Sequence, residues 1–150
     1  MAKNTATSVR QKLLNKSREE KRPFQELLQY YAMERLLYRL SQSPHSGCFT
    51  LKGALMLWAM QGPTSRPTRD IDMLGQTSNE PEAILDQVQE IIAAEVMDDG
   101  LHFDRDTLKA ETITEDADYQ GLRVTFTGFL DKARIPMQLD IGFGDPVFPF

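Results

Sequence analysis

The chain has 150 residues, of which 41% are hydrophobic and 26% charged, with 17 Lys and Arg against 22 Asp and Glu. That length suffices for one ordinary domain with a core of its own, and the composition is that of a soluble globular protein. No apolar run approaches the roughly 20 residues of a membrane-spanning helix, and the lone Cys48 excludes an internal disulfide and any multi-cysteine zinc site.

The first residues, Met-Ala-Lys-Asn-Thr-Ala-Thr-Ser, lead into a charged segment and not an apolar one, so no signal peptide is expected and the cytoplasm is the expected location. Charge is distributed unevenly. Residues 1–40 hold nine Lys and Arg against four Asp and Glu, and the remainder holds eight against eighteen. A basic arm of this kind attracts nucleic acid or an acidic partner, although a solvated amphipathic helix is the plainer reading. The acidic remainder argues against broad coating of nucleic acid, which needs clustered Lys and Arg at phosphates.

Residues 8–21 read as a polar helix interrupted by Pro23, and a second helix is predicted from Phe24 to Ser41, where Phe24, Leu27, Leu28, Tyr31, Leu36, Leu37 and Leu40 recur at helical spacing. Pro44 and Gly47 mark a loop. Cys48 to Lys52 is a strand candidate closed by Gly53, with Cys48 itself read as a small buried residue. Ala54 to Met60 suits a helix, and Gly62, Pro63 and Pro67 mark another loop. Arg69 to Leu74 is a second strand. Pro81 opens a third helix running to about Val96, with Ser78 or Asn79 as its cap. Asp98, Asp99 and Gly100 form a turn, and residues 101–118 are polar and resist assignment. Leu122 to Phe129 and Ile135 to Ile141 alternate as strands joined around Asp131 and Lys132, an antiparallel hairpin. The order predicts a mixed α/β or α+β domain, divided into a helical segment (residues 1–42) and a core (residues 43–150).

Within this frame Asp70-Ile71-Asp72 is the sharpest feature. Strand side chains alternate, so the two carboxylates share one face while Ile71 and Met73 point to the core. Adjacent carboxylates repel, and a divalent cation relieves that repulsion; magnesium prefers oxygen ligands. Asp140 lies in a separate strand candidate flanked by Leu139 and Ile141, where an acidic group needs a partner. Either a metal shared with Asp70 and Asp72 or an ion pair with Arg69 or Arg123 would serve. Lys52-Gly53 closes a strand before a helix, a place where backbone N–H groups attract phosphate, or is a plain turn.

These residues resemble the DNA polymerase beta-like nucleotidyltransferase superfamily, and more closely the AbiEii/AbiGii toxin family of bacterial toxin–antitoxin and abortive-infection systems. The resemblance covers roughly residues 33–145. It is carried by Glu34-Arg35-Leu36-Leu37-Tyr38-Arg39-Leu40-Ser41, Phe49-Thr50-Leu51-Lys52-Gly53-Ala54-Leu55, Arg66-Pro67-Thr68-Arg69-Asp70-Ile71-Asp72, and Gln138-Leu139-Asp140-Ile141-Gly142-Phe143-Gly144-Asp145.

The resemblance implies a nucleotidyltransferase-type mixed sheet flanked by helices. Asp70, Asp72 and Asp140 would be catalytic and would ligate Mg2+ or Mn2+. Lys52, Gly53, Ala54 and Arg66 would meet the phosphates of a nucleoside triphosphate. Ala54 departs from the superfamily pattern, in which a serine follows the glycine. The family usually continues past the third carboxylate into a helical region, so the chain is expected to be truncated and catalytically incomplete, with Val147, Phe148 and Phe150 exposed and favouring a homodimer. Three functions follow: transfer of NMP from an NTP to an RNA or protein acceptor under control of a cognate antitoxin, an inactive nucleotide-binding module or fragment, or a metal-dependent nuclease. No membrane partner is expected.

Overall fold

The computed structural model describes residues 3–52, 70–116 and 119–143. Among them, three helices and five strands follow in the order α1 (Lys3–Glu20), α2 (Phe24–Ser41), β1 (Phe49–Lys52), β2 (Ile71–Gly75), α3 (Pro81–Ile92), β3 (Leu101–Asp116), β4 (Tyr119–Leu130) and β5 (Ala133–Phe143). The strands form one mixed sheet in the order β1-β2-β5-β4-β3. Only the β2–β5 pairing is parallel. This is the α+β architecture expected from the sequence, and none of the described helices is long and apolar enough to cross a membrane.

One face of the sheet is apolar because each strand alternates. Ile71 and Met73 of β2, Val124 and Phe126 of β4, and Met137, Leu139 and Ile141 of β5 are all buried. Against them α2 lays Leu28, Met33, Leu36 and Leu40, and α3 lays Ile84, Val88 and Ile91, in a single cluster. Burying a Leu or Ile side chain contributes about 1.5–3 kcal/mol, so this seam carries most of the fold's cohesion. The opposite face, which carries the even-numbered residues of β2 and β5, takes the polar side chains.

Several boundaries differ from the sequence reading, each for a local reason. Helix α1 begins at Lys3 and not near residue 8, and Ala6, Val9 and Leu13 pack on the core at helical spacing. The third helix stops at Ile92, short of Val96. Its cap is Glu80, without a side-chain cap bond, and Ser78 instead accepts the Glu80 N–H at 3.2 Å. Cys48 is half-buried at the core's rim. The unassigned segment 101–118 contains the longest strand, β3. It lies at the sheet edge with a largely exposed outer surface, so its hydrophobic alternation is weak. Its pairing with β4 is also broken by a bulge between Asp104 and Lys109. There the Thr107 hydroxyl donates to the Asp104 carbonyl and accepts the Thr127 N–H, replacing ladder bonds that the bulge removes. The expected helix at 54–60 lies outside the described residues.

Candidate active site

The parallel pairing of β2 with β5 sets the site. Its register places Ile71 beside Leu139 and Asp72 beside Asp140. Directly paired residues share a face, and neighbouring strands lie about 4.8 Å apart. The apolar partners go down into the core, and the two aspartates stand side by side on the open face. Asp70, one step before β2, has the same parity and is half-buried. Asp140, carried between buried Leu139 and Ile141, is thus held by a central strand, as its flanking residues suggested.

The row continues across the sheet. Asp140 pairs in register with Arg123 of β4, and Arg123 pairs with Glu111 of β3. On the other side the backbone of Lys52 is the register partner of Asp72. Arg123 grips Asp140 with two donors: Nε to Oδ1 at 2.9 Å and Nη2 to Oδ2 at 3.3 Å. Gln138 Nε2 reaches the same two oxygens at 3.2 and 3.3 Å. The hydrogen bond to Asp140 and the charges of Asp140, Glu111 and Asp70 outweigh desolvation and hold the Arg123 guanidinium above its ordinary pKa.

The structure therefore brings Asp70, Asp72 and Asp140 to one face, and it realises the ion pair between Asp140 and Arg123 that the sequence left open; Arg69 lies outside the described residues. In this arrangement no three acidic, histidine or cysteine groups among the described residues are grouped so as to hold a metal ion, and the Asp140 carboxylate is engaged by Arg123 and Gln138. The residues nonetheless suit a hard divalent cation. They offer an all-oxygen donor set, and the backbone register fixes two of the three carboxylates as neighbours.

A cleft of about 640 Å³ opens on the same face from Asp70, past Gln138, Thr125 and Thr127, to Lys109 and Arg134. Polar side chains of β3, β4 and β5 line it together with Gln29 of α2, Pro136 and the core residues Phe126 and Met137. The sequence reading missed these residues. The parity of Arg134, Gln138 and Asp140 on one strand was the available signal, whereas Lys109 sits beyond the bulge, where parity is lost. Among the phosphate-binding candidates, Gly53, Ala54 and Arg66 lie outside the described residues, and Lys52 ends β1 in register with Asp72.

Residues 35–150 match the family model described as Nucleotidyl transferase AbiEii toxin, Type IV TA system. No curated protein and no solved structure matches the chain. The family match spans the C-terminal part of α2, the carboxylate row and the whole described sheet, and on that basis the chain belongs to the AbiEii family of nucleotidyl transferase toxins.

Proposed function

We propose that the protein is a magnesium-dependent nucleotidyltransferase toxin that moves a nucleoside monophosphate from a triphosphate to an RNA or protein acceptor. The observation that carries this reading is the in-register pair Asp72 and Asp140, with Asp70 on the same face, in a chain of this family. Asp70, Asp72 and Asp140 would hold Mg2+ or Mn2+. The bound cation would neutralise charge at the attacking and leaving oxygens.

The chain's own residues would do the rest by positioning and charge. An acceptor hydroxyl attacks the α-phosphorus, a new P–O bond forms, and the bond to the β-phosphate oxygen breaks to release pyrophosphate. The hydroxyl proton passes to the Asp140 carboxylate, which Gln138 orients. Lys52, the Gly53 and Ala54 amides and Arg66 would receive the phosphates; with Ala54 in place of serine, that contact relies on backbone N–H groups. The cleft toward Lys109 and Arg134 would receive the acceptor. A cognate antitoxin is the expected protein partner, and the cytoplasm the expected compartment.

The Arg123–Asp140 pair favours a second reading, a nucleotide-binding module without turnover, because it occupies the third carboxylate. Pyrophosphate release from mixed nucleoside triphosphates with magnesium separates the two. The transferase reading expects release above the no-enzyme rate that disappears in Asp72→Asn; nucleotide binding with no release selects the module.

A further inference from the structure

Arg123 stands between two carboxylates. Register places Asp140 directly on one side of it and Glu111 directly on the other, all on the open face. Facing cross-strand residues have Cβ atoms about 4.5–5.5 Å apart, so one long guanidinium side chain reaches either neighbour. In this structure it is on Asp140. The Asp140 side chain is 13% exposed and that of Arg123 36%. The arginine therefore has solvent on one side to move through, whereas the aspartate does not.

The occupancy of Asp140 is nearly complete. A carboxylate offers about four lone-pair sites. Arg123 fills one on each oxygen, and Gln138 Nε2 is shared between the two oxygens. A divalent cation that takes Asp140 as a ligand must displace at least the guanidinium, because two cations on one half-buried carboxylate also repel each other. The displaced Arg123 has a second anion within reach, since Glu111 already contributes to holding it protonated. Glu111 is exposed, and exposed ion pairs are weak, so Asp140 is the stronger resting place and Glu111 the weaker one.

We propose that Arg123 is an internal cation that competes with the divalent metal for Asp140, and that it shifts from Asp140 to Glu111 when the metal binds. This rests on the reading that Asp70, Asp72 and Asp140 hold the metal. Arg123 is then a positioning residue that sets metal affinity. It keeps the third carboxylate satisfied in the metal-free protein and makes cation binding the event that assembles the carboxylate set.

The test is Mn2+ binding to the full chain by calorimetry and by the electron paramagnetic resonance of free Mn2+. Wild type, Arg123→Met, Glu111→Gln and Asp140→Asn are compared, with melting temperatures recorded. Arg123→Met should tighten Mn2+ by on the order of tenfold, the scale on which groups around ligands tune affinity. Glu111→Gln, on the exposed edge strand two strands from Asp140, should loosen binding severalfold by removing the alternative seat. Unchanged or weaker binding in Arg123→Met, with Asp140→Asn still lowering affinity, overturns the competition and leaves the metal reading standing. If Arg123→Met does not fold, Glu111→Gln decides: loosened binding supports the shift, and unchanged binding overturns it. Absence of Mn2+ binding in wild type and Arg123→Met alike overturns the metal reading and the proposal together.

Discussion

Replacing Asp99 with asparagine should be among the most damaging single changes in the protein. Asp99 lies in the turn before β3. Its carboxylate receives Arg39 Nη1 and Nη2 at 2.8 and 3.0 Å and Arg35 Nε at 2.8 Å, and its backbone carbonyl accepts the Tyr31 hydroxyl at 2.7 Å. The Arg39 side chain is 6% exposed and Asp99 7%, and the Arg39 guanidinium also lies 5.0 Å from the Phe103 ring centre. The substitution removes the carboxylate that two guanidinium groups one helical turn apart share. Breaking one side of a buried pair costs about 3–5 kcal/mol, a large part of the roughly 5–15 kcal/mol that holds a domain together. At this size that corresponds to a fall in Tm on the order of 10 °C.

The pH dependence of that loss has a definite sign. Burial pushes the Asp99 carboxyl up, but the hydrogen bonds from Arg39, Arg35 and the Leu101 amide outweigh it and hold the group below its ordinary 3.8. A depressed carboxylate contributes stability that is fully present above 3.8 and is lost as pH falls below that value. Urea unfolding followed by circular dichroism at pH 7 and at pH 3 measures both effects. The gap between wild type and Asp99→Asn should be several kcal/mol at pH 7 and should narrow in acid. Adding Arg39→Met should recover part of the loss, because it removes the stranded charge. A loss under about 1 kcal/mol at pH 7, or a gap that widens in acid, would refute the reasoning.

Three further outcomes are expected. Ile141→Ala, beneath the aspartate row and fully buried, should cost about 2–5 kcal/mol in the same urea assay. Gly100 has φ +81°, and a Cβ there would come within 2.8 Å of the Ala6 Cα, so Gly100→Val should destabilise by more than about 1–3 kcal/mol and loosen α1, read as faster amide exchange over residues 6–13. Gly53→Val should weaken triphosphate binding in calorimetry with magnesium present, whereas Ala54→Ser should leave it equal or tighter; equal affinity in Gly53→Val and wild type would place the phosphates elsewhere.

The parts of the fold that were legible in the sequence are those governed by local periodicity. Helix α2 falls on Phe24–Ser41 as its apolar spacing required, and the β4–β5 hairpin turns at Asp131 and Lys132. That Asp140 would come near Asp70 and Asp72 was expected from residue type and resemblance, and the parallel register sets Asp72 beside Asp140. Edge strand β3 stayed hidden because half its surface faces solvent and a bulge shifts its parity midway. Helix α3 ends at Ile92, and the extended chain after it brings Asp99 against Arg35 and Arg39. Those two arginines stood in one of the matching sequence blocks, four residues apart and so on one face of the helix, where two like charges need an anion. Sequence alone did not say which acid, nor that Arg123 would meet Asp140.

Nucleotidyl transfer by the aspartate row is measured directly with triphosphates labelled at the α- or γ-phosphorus, with magnesium and cellular RNA and protein as acceptors, by following label onto macromolecules. Transfer by these carboxylates predicts that α-label is incorporated, that γ-label is not, and that Asp72→Asn and Asp140→Asn each lower incorporation by roughly a hundredfold or more. Incorporation of γ-label, or α-label incorporation at wild-type rate in Asp72→Asn, would contradict it.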